Sequence, residues 1–444
     1  MRPKPALLLA ALLLGQGIAW AAVAAPEASG PSASTTAEQL YAAARPKLLQ
    51  IRTLVTTAAG RQSSLGSGFL VSGDGLAITN YHVVSQFALE PATYRLEYAT
   101  VDGARGEVKL LAIDLANDLA VVRLEKQGAP FFQFNRRATD GGLSKGEHLY
   151  SMGNPLDLGF TIVEGTYNGL VERSYNERLH FTGAVNPGMS GGPAVASDGR
   201  VVGINVAKQV GGELVSFLVP ARFAVALLER AHEAQPLSPR QLRAEIGRQV
   251  TAWQEKLYAS LNAQGFRSTS LGPYHVLEST APWFTCWART TTGQVPKPRA
   301  TVDSSSCYSD TRLFIASDLS TGFIQVSQSY LHSVDLNPFQ FATFLSNSGL
   351  GSLPGGWTQK WYTPQRCHED FIAVARSEKR LPLRVLWCAH AYREFDGLYD
   401  VVATATTQNS NSEALVVQLS LQAVSYDNAV ALTKQVFEGV QWTK

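Results

Sequence analysis

The stretch Asn186–Pro193, with the sequence Asn-Pro-Gly-Met-Ser-Gly-Gly-Pro, is the part of the chain that decides the fold. Glycine is used where a chain turns tightly or lets another molecule approach its amide groups. The glycines here leave the hydroxyl of Ser190 unhindered and direct the N–H groups of Gly188 and Ser190 at one point. A nucleophilic serine needs such donors for the negative oxygen that develops in acyl transfer. Glycine-rich turns with a serine are common, so the prediction depends on an accompanying base and acid.

A histidine and an aspartate precede the serine in suitable positions. His82 follows the apolar run Leu76–Thr79, and Asp118 directly precedes the apolar run Leu119–Leu124. The chain order histidine, aspartate, serine is that of the chymotrypsin-like double β-barrel.

The same loop also fits the nucleophile elbow of α/β-hydrolases, because residues 188–192 match Gly-x-Ser-x-Gly. An elbow requires a helix after the serine, with the acid and the histidine later in the chain. Here the runs Ala194–Ser197 and Val201–Val206 are joined by Asp198-Gly199, which predicts a β-hairpin. The hairpin and the chain order argue against the elbow.

Four motifs together resemble the protease domain of the HtrA (Deg) family of trypsin-like serine endopeptidases, over about residues 38–233. They are Gly66–Phe69, Thr79–Val83, Asp118–Val121 and Asn186–Pro193; Val215–Ala221 resembles the closing strand of that domain. The resemblance implies a mainly β fold, a chymotrypsin-like double β-barrel with a catalytic triad of His82, Asp118 and Ser190 in the cleft. Asp114 is a rival acid, but the family motif requires the aspartate directly before the strand.

The resemblance also implies a binding site for a polypeptide substrate. Gly188, Met189 and Ser190 would form the oxyanion loop. The floor of the pocket for the residue before the cut lies six positions before the serine, at Ala184, followed by Val185 and Asn186. The absence of a carboxylate there argues against cleavage after Lys or Arg. The resemblance implies cleavage after small or medium apolar residues. The segment Val206–Leu214 would form another wall.

Two departures from the family pattern keep a second function open. Met189 stands where HtrA relatives usually have asparagine, and residues 240–444 do not resemble the PDZ domains that usually follow. The peptide-sensing, cage-forming behaviour of that family is therefore not implied. The alternative is a catalytically silent binding protein with a protease fold, whose C-terminal domain recognises a partner.

The beginning of the 444-residue chain predicts export. Basic residues at Arg2 and Lys4 precede the apolar run Ala6–Leu14, and small residues end at Ala24. This is the pattern of a signal peptide over residues 1–24, with an uncleaved anchor as the rival; residues 25–37 predict a flexible linker. We expect a periplasmic or secreted protein without stable membrane insertion after removal of the signal.

The composition indicates neither a charged partner nor a cofactor. The net charge is +2, which does not suggest a nucleic-acid partner. No phosphate-binding or metal-binding motif is present, so we expect no cofactor; the oligomeric state is not indicated.

Four cysteines lie in the C-terminal half, and their spacing suggests two local disulfides. Cys286 and Cys307 are 21 positions apart, as are Cys367 and Cys388. An even cysteine count in an exported chain favours disulfides, and of the three possible pairings the local one fits a repeated unit. A zinc site is a weaker alternative because there is no Cys-x-x-Cys pair.

The chain therefore divides into a protease domain at 38–234, a linker and amphipathic helix at 235–265, and an α+β accessory domain at 266–444. Ser238 and Gln241 predict a capping box, and Gly265 the end of that helix. Each cysteine pair precedes strand-forming runs and then a helical pattern, at 337–345 and 426–437. This suggests two related lobes, with coincidence as the alternative.

Overall fold

The computed structural model describes residues 35–57, 61–208, 214–309, 311–347, 360–374 and 380–443. The predicted signal peptide at 1–24 and most of the predicted linker at 25–37 lie outside these ranges. Within them, no helix is both long and apolar enough to span a membrane.

The first half of the chain forms two closed six-stranded barrels, which confirms the predicted mainly β, chymotrypsin-like double barrel. The strands of the first barrel are β1 (Leu48–Val55), β2 (Arg61–Leu70), β3 (Leu76–Thr79), β4 (Tyr94–Thr100), β5 (Arg105–Asp114) and β6 (Leu119–Leu124). Those of the second are β7 (His148–Gly153), β8 (Thr161–Leu170), β9 (Leu179–Phe181), β10 (Pro193–Val195), β11 (Val201–Lys208) and β12 (Ser216–Pro220). The helices are α1 (Thr35–Ala44), α2 (Tyr81–Leu89), α3 (Arg136–Thr139) and α4 (Ala221–Ala231), with 3-10 turns at Arg45–Lys47 and Pro155–Asp157.

A long helix, α5 (Pro239–Gln264), connects the barrels to the C-terminal part. The hydroxyl of Ser238 accepts from the N–H of Gln241 and the Gln241 side chain accepts from the N–H of Ser238, so the predicted capping box is confirmed. Gly265 has a positive φ of 79° and caps the end of the helix. The buried side chains of α5 belong to one core that includes residues of the first barrel and of the C-terminal sheet.

The C-terminal part is built on one antiparallel seven-stranded sheet. Its elements are β13 (Phe266–Leu271), β14 (Tyr274–Ser279), β15 (Phe284–Thr290), β16 (Ala300–Ser309), β17 (Leu313–Ala316), β18 (Leu319–Thr321), β19 (Ile324–Ser333), α6 (Pro338–Asn347), β20 (Arg366–Val374), β21 (Leu381–Ala391), β22 (Leu398–Thr407), β23 (Glu413–Ser425), α7 (Tyr426–Glu438) and β24 (Gln441–Trp442). The strand order in the seven-stranded sheet is β15-β16-β19-β23-β22-β21-β20. β13, β14 and β24 form a small separate sheet, and β17 and β18 form a hairpin.

The sequence suggested two related lobes, each with one disulfide. The structure instead joins these two units as the halves of a single sheet, because β19 of the first unit pairs with β23 of the second. A disulfide ties the outermost pair of strands at each edge. Cys286 lies opposite Cys307 on β15 and β16, and Cys367 lies opposite Cys388 on β20 and β21. Both local disulfides are formed, so these cysteines are not available as zinc ligands.

Candidate active site

His82 and Asp118 meet because two neighbouring strands end at the same side of the first barrel. β3 and β6 are antiparallel, with Thr79 opposite Ala120. The chain just after β3 and the chain just before β6 therefore lie side by side. Oδ2 of Asp118 is 2.6 Å from Nδ1 of His82, and Oδ1 accepts a 2.9 Å hydrogen bond from the backbone N–H of His82.

The backbone of Asp118 is held in a conformation that is uncommon for a residue other than glycine. Its φ is +59°, in the left-handed region. Its carbonyl oxygen accepts from the N–H of Tyr81 at 3.1 Å and from the side-chain amide of buried Asn80 at 2.7 Å. Asp114, the rival acid, instead accepts from the backbone and side chain of Asn117. Only the later aspartate contacts the histidine.

The ionisation of His82 is set by two opposed effects. Burial alone lowers the pKa of the imidazole, but the charge of Asp118 and the hydrogen bond to it raise the pKa above the ordinary value of 6.5. The His82 side chain keeps 29% of its exposure, so it is only partly covered by the protein.

Ser190 lies in the loop before β10, and this loop is fastened to the first barrel. The N–H of Ser67 donates to the carbonyl of Ser190 at 2.7 Å, and the hydroxyl of Ser67 donates to the carbonyl of Gly188 at 2.7 Å. The Ser190 hydroxyl donates to the carbonyl of Val206 at 3.4 Å. Among the described residues it makes no hydrogen bond with His82. The role of Ser67 was missed in the sequence, although it lies in the Gly66–Phe69 motif.

The orientation of the peptide bond between Pro187 and Gly188 is fixed by a hydrogen bond to its carbonyl oxygen. The Pro187 carbonyl accepts from the N–H of Leu156 at 2.8 Å. In a trans peptide the N–H points opposite to the carbonyl. No hydrogen bond between described residues uses the N–H of Gly188 or of Ser190, whereas that of Met189 donates to Asn186 at 3.0 Å. The loop thus presents two N–H donors, from the first and last of its three predicted residues.

Two of the predicted loop and pocket residues are part of the barrel core. Met189 and Val185 are fully or almost fully buried and belong to one apolar cluster of the second barrel. An apolar side chain at position 189 therefore fits the packing there. Ala184 and Asn186 are partly exposed. Of the predicted wall Val206–Leu214, residues 209–213 lie outside the described ranges.

A hairpin of the C-terminal part contacts the helix that carries His82, which the sequence analysis did not foresee. The ring of Phe314 on β17 lies edge-on to the His82 ring, with centroids 6.0 Å apart and planes at 76°. The buried hydroxyl of Tyr81 donates to the carbonyl of Ile315 at 2.9 Å. These contacts join residues more than two hundred positions apart, and no local sequence pattern signals such a pairing.

The metal-binding capacity of the described part of the chain is limited by the disulfides. One group of potential ligands has the required proximity: Glu278 with Cys286 and Cys307. The two sulfur atoms are bonded to each other, so neither is present as a thiolate ligand.

Comparison with known proteins identifies the kind of domain that residues 66–204 form. Residues 66–204 match the family model described as a trypsin-like peptidase domain. The mitochondrial serine protease HTRA2 of Drosophila pseudoobscura pseudoobscura is 33% identical over 180 residues, covering 38% of this chain and 40% of that protein. A protein of Marinomonas sp. named a probable periplasmic serine endoprotease, DegP-like, is 32% identical over 178 residues, covering 38% of this chain and 36% of that protein.

Among solved structures, the serine endoprotease from Yersinia pestis aligns with a TM-score of 0.39 at 26% identity, covering 45% of this chain and 67% of that one. The chain spans 40% of the length of one of the curated relatives it matches and less of others. The chain therefore contains a trypsin-like peptidase domain and is similar to serine proteases of the HtrA and DegP type.

Proposed function

We propose that this protein is a serine endopeptidase that cleaves polypeptides through an acyl-enzyme, with Ser190 as nucleophile, His82 as base and Asp118 as the orienting acid. The observation that carries the proposal is the tight pair of His82 and Asp118 together with a serine loop in which two N–H groups, those of Gly188 and Ser190, make no hydrogen bond to a described residue. A carboxylate on one imidazole nitrogen leaves the other nitrogen to accept a proton.

In the proposed reaction, the Ser190 hydroxyl leaves the Val206 carbonyl and turns toward Nε2 of His82. His82 takes the hydroxyl proton as Oγ attacks the substrate carbonyl, and then gives the proton to the leaving amine. Asp118 stabilises the imidazolium, in keeping with the raised pKa of His82. The N–H groups of Gly188 and Ser190 stabilise the oxyanion. Water then attacks the acyl-enzyme with His82 again as base.

The substrate and the compartment are also part of this proposal. With Ala184 at the pocket floor, we expect small or medium apolar residues before the cut. Export after cleavage of residues 1–24 is supported by the Marinomonas relative named as a probable periplasmic endoprotease and by the two disulfides, which persist in oxidising compartments. N-terminal sequencing of the mature protein tests the cleavage, and a mature chain that still starts at Met1 would contradict it.

A fluorophosphonate probe tests the proposed activity, because it bonds covalently to an activated serine. We expect the full-length protein to be labelled and the Ser190→Ala variant to be unlabelled. Ser197→Ala removes an exposed hydroxyl in the turn after β10 and serves as the matched control, which should keep full labelling. Folded wild-type protein that resists the probe would overturn the proposal and favour the silent binding protein.

A further inference from the structure

A cavity of about 460 Å³ lies beside the candidate active site, between both barrels and the C-terminal part. Asp118 of the first barrel and Val206 of the second line it, so it adjoins the histidine-aspartate pair and the carbonyl that holds Ser190. Arg312 and Phe314 of the C-terminal part also line the cavity; Phe314 lies on β17 and Arg312 just before this strand. The C-terminal part thus contributes to the same space as the two barrels.

The contacts of the β17 hairpin fix this wall relative to the active site. Tyr81 precedes His82 in the chain, and its buried hydroxyl holds the carbonyl of Ile315. The neighbouring ring of Phe314 lies against the rings of both Tyr81 and His82, at 6.3 Å and 6.0 Å between centroids. Arg312 lies two positions before Phe314 in the chain, so its position in the cavity wall depends on the same contacts of Phe314 and Ile315.

The cavity is lined by an excess of positive charge. Arg173, Arg178 and Arg312 all line it, and Asp118 is the single acidic residue among the described residues of the lining; its carboxylate is bonded to His82. Within the described ranges, none of the three arginines forms an ion pair with a carboxylate. Arg178 is oriented by the carbonyls of Glu177 and Ala116, at 2.9 Å and 3.4 Å. The Arg312 guanidinium lies over the ring of Phe323, 5.5 Å from its centroid. Guanidinium groups in the lining of one cavity are suited to bind a carboxylate.

We propose that this cavity is a subsite for an acidic side chain of the polypeptide substrate, and that the C-terminal part supplies one of its cations, Arg312. The inference rests on the proposed function, since the cavity is argued to hold substrate. Val206 leads into the segment expected to wall the pocket for the residue before the cut. The acidic side chain therefore belongs to a residue on the acyl side, a few positions before the bond that is cleaved.

Two fluorogenic peptides test the subsite, both with valine before the cut and with either glutamate or glutamine at the third and fourth residues before it. We expect the full-length protein to have a higher kcat/KM for the glutamate peptide. Arg312→Gln should reduce this preference about fivefold, as for a charge pair at an exposed position, and Arg312→Lys should retain most of it. Arg289→Gln, at an exposed position at the far end of β15, is the matched control and should change nothing.

Binding of the same peptides to the Ser190→Ala protein, followed by fluorescence anisotropy, separates the two proposals. If the glutamate peptide binds selectively and this selectivity is lost on adding Arg312→Gln, the subsite is supported. This holds even if the wild type cleaves neither peptide, because failure to cleave would overturn only the proposed function. Cleavage of both peptides with equal kcat/KM, or an Arg312→Gln variant that behaves like Arg289→Gln, would overturn the subsite and leave the protease in place.

Discussion

Replacing Gly188 with alanine should abolish one of the two proposed oxyanion donors without removing any side chain. The φ of Gly188 is +94°, and a Cβ atom there would lie 2.4 Å from the carbonyl oxygen of Asn154 and 3.1 Å from the N–H nitrogen of Leu156. Both neighbours are backbone atoms that cannot turn aside. The Pro187–Gly188 peptide must therefore rotate, which breaks the hydrogen bond from Leu156 to Pro187 and moves the Gly188 N–H away from the substrate.

The expected magnitude has two parts. A side chain in the left-handed region costs about 1–2 kcal/mol of stability. Loss of one oxyanion donor lowers kcat by about 10²–10³-fold, equivalent to about 3–4 kcal/mol of transition-state stabilisation. Because the donor acts on charge that develops only in the transition state, kcat should fall while KM changes little.

Gly146→Ala is the matched control for this experiment. Gly146 has a φ of +90°, and no heavy atom lies within 4 Å of its ideal Cβ position, so the variant carries the conformational cost alone. Steady-state hydrolysis of an apolar peptide and urea unfolding would be measured for both variants. A Gly188→Ala enzyme whose kcat stays within about threefold of Gly146→Ala would refute the assignment of the Gly188 N–H as an oxyanion donor.

Two further variants test the placement of His82. Asp118 raises the pKa of His82 above 6.5, and the base must be neutral, so kcat/KM of the wild type should rise with pH through a value above 6.5. In Asp118→Asn this limb should move to lower pH and the maximal rate should fall steeply; an unmoved limb would contradict the pairing. Tyr81→Phe leaves the buried Ile315 carbonyl without its side-chain donor and should lower the free energy of unfolding by about 1–3 kcal/mol. Hydrogen exchange should also speed up in the β17 hairpin, and unchanged protection there would speak against the contact.

Features set by local chemistry could be predicted from the sequence. The serine-containing loop, the strands around it and the capping box of Ser238 and Gln241 each depend on neighbours within a few residues. The same holds for the local disulfides, because residues that lie opposite each other in one antiparallel hairpin bring both cysteines together. The periodicity of apolar side chains and the positions of turn residues indicate such local structure directly.

Met189 illustrates a residue whose meaning depends on packing rather than on the motif around it. In the sequence it stands out as a departure from the asparagine usual in HtrA relatives. In the structure its side chain is buried in the second barrel, while its carbonyl accepts from the N–H of Gly192 and the side-chain amide of Asn205. The backbone therefore supplies the polar contacts of the loop, and the side chain supplies apolar contact area.

The arrangement of the C-terminal sheet could not be predicted, because strand order depends on pairings between distant segments. The strands β19 and β23 are adjacent in the sheet although β20, β21 and β22 separate them in sequence. Each of the two disulfide-containing units has the same local sequence pattern of strands and a helix, whether it forms a separate lobe or half of one sheet. Only the pairing of these two buried strands distinguishes the two cases.

The C-terminal part is a structural component of the candidate active site, because it contacts the segments that carry His82 and Asp118. Gln249 of α5 accepts from the N–H of Leu115 at 2.8 Å and donates to the carbonyl of Ile113 at 2.8 Å, close before Asp118 in the chain. The same helix packs into the core that includes the C-terminal sheet. The aspartate segment is thus held by α5, while the histidine helix is held by the β17 hairpin through Tyr81. Both supports lie beyond residue 234, so a chain ending there would keep the hydrogen bonds between His82 and Asp118 but lose the outer contacts made by Gln249 and by the Ile315 carbonyl.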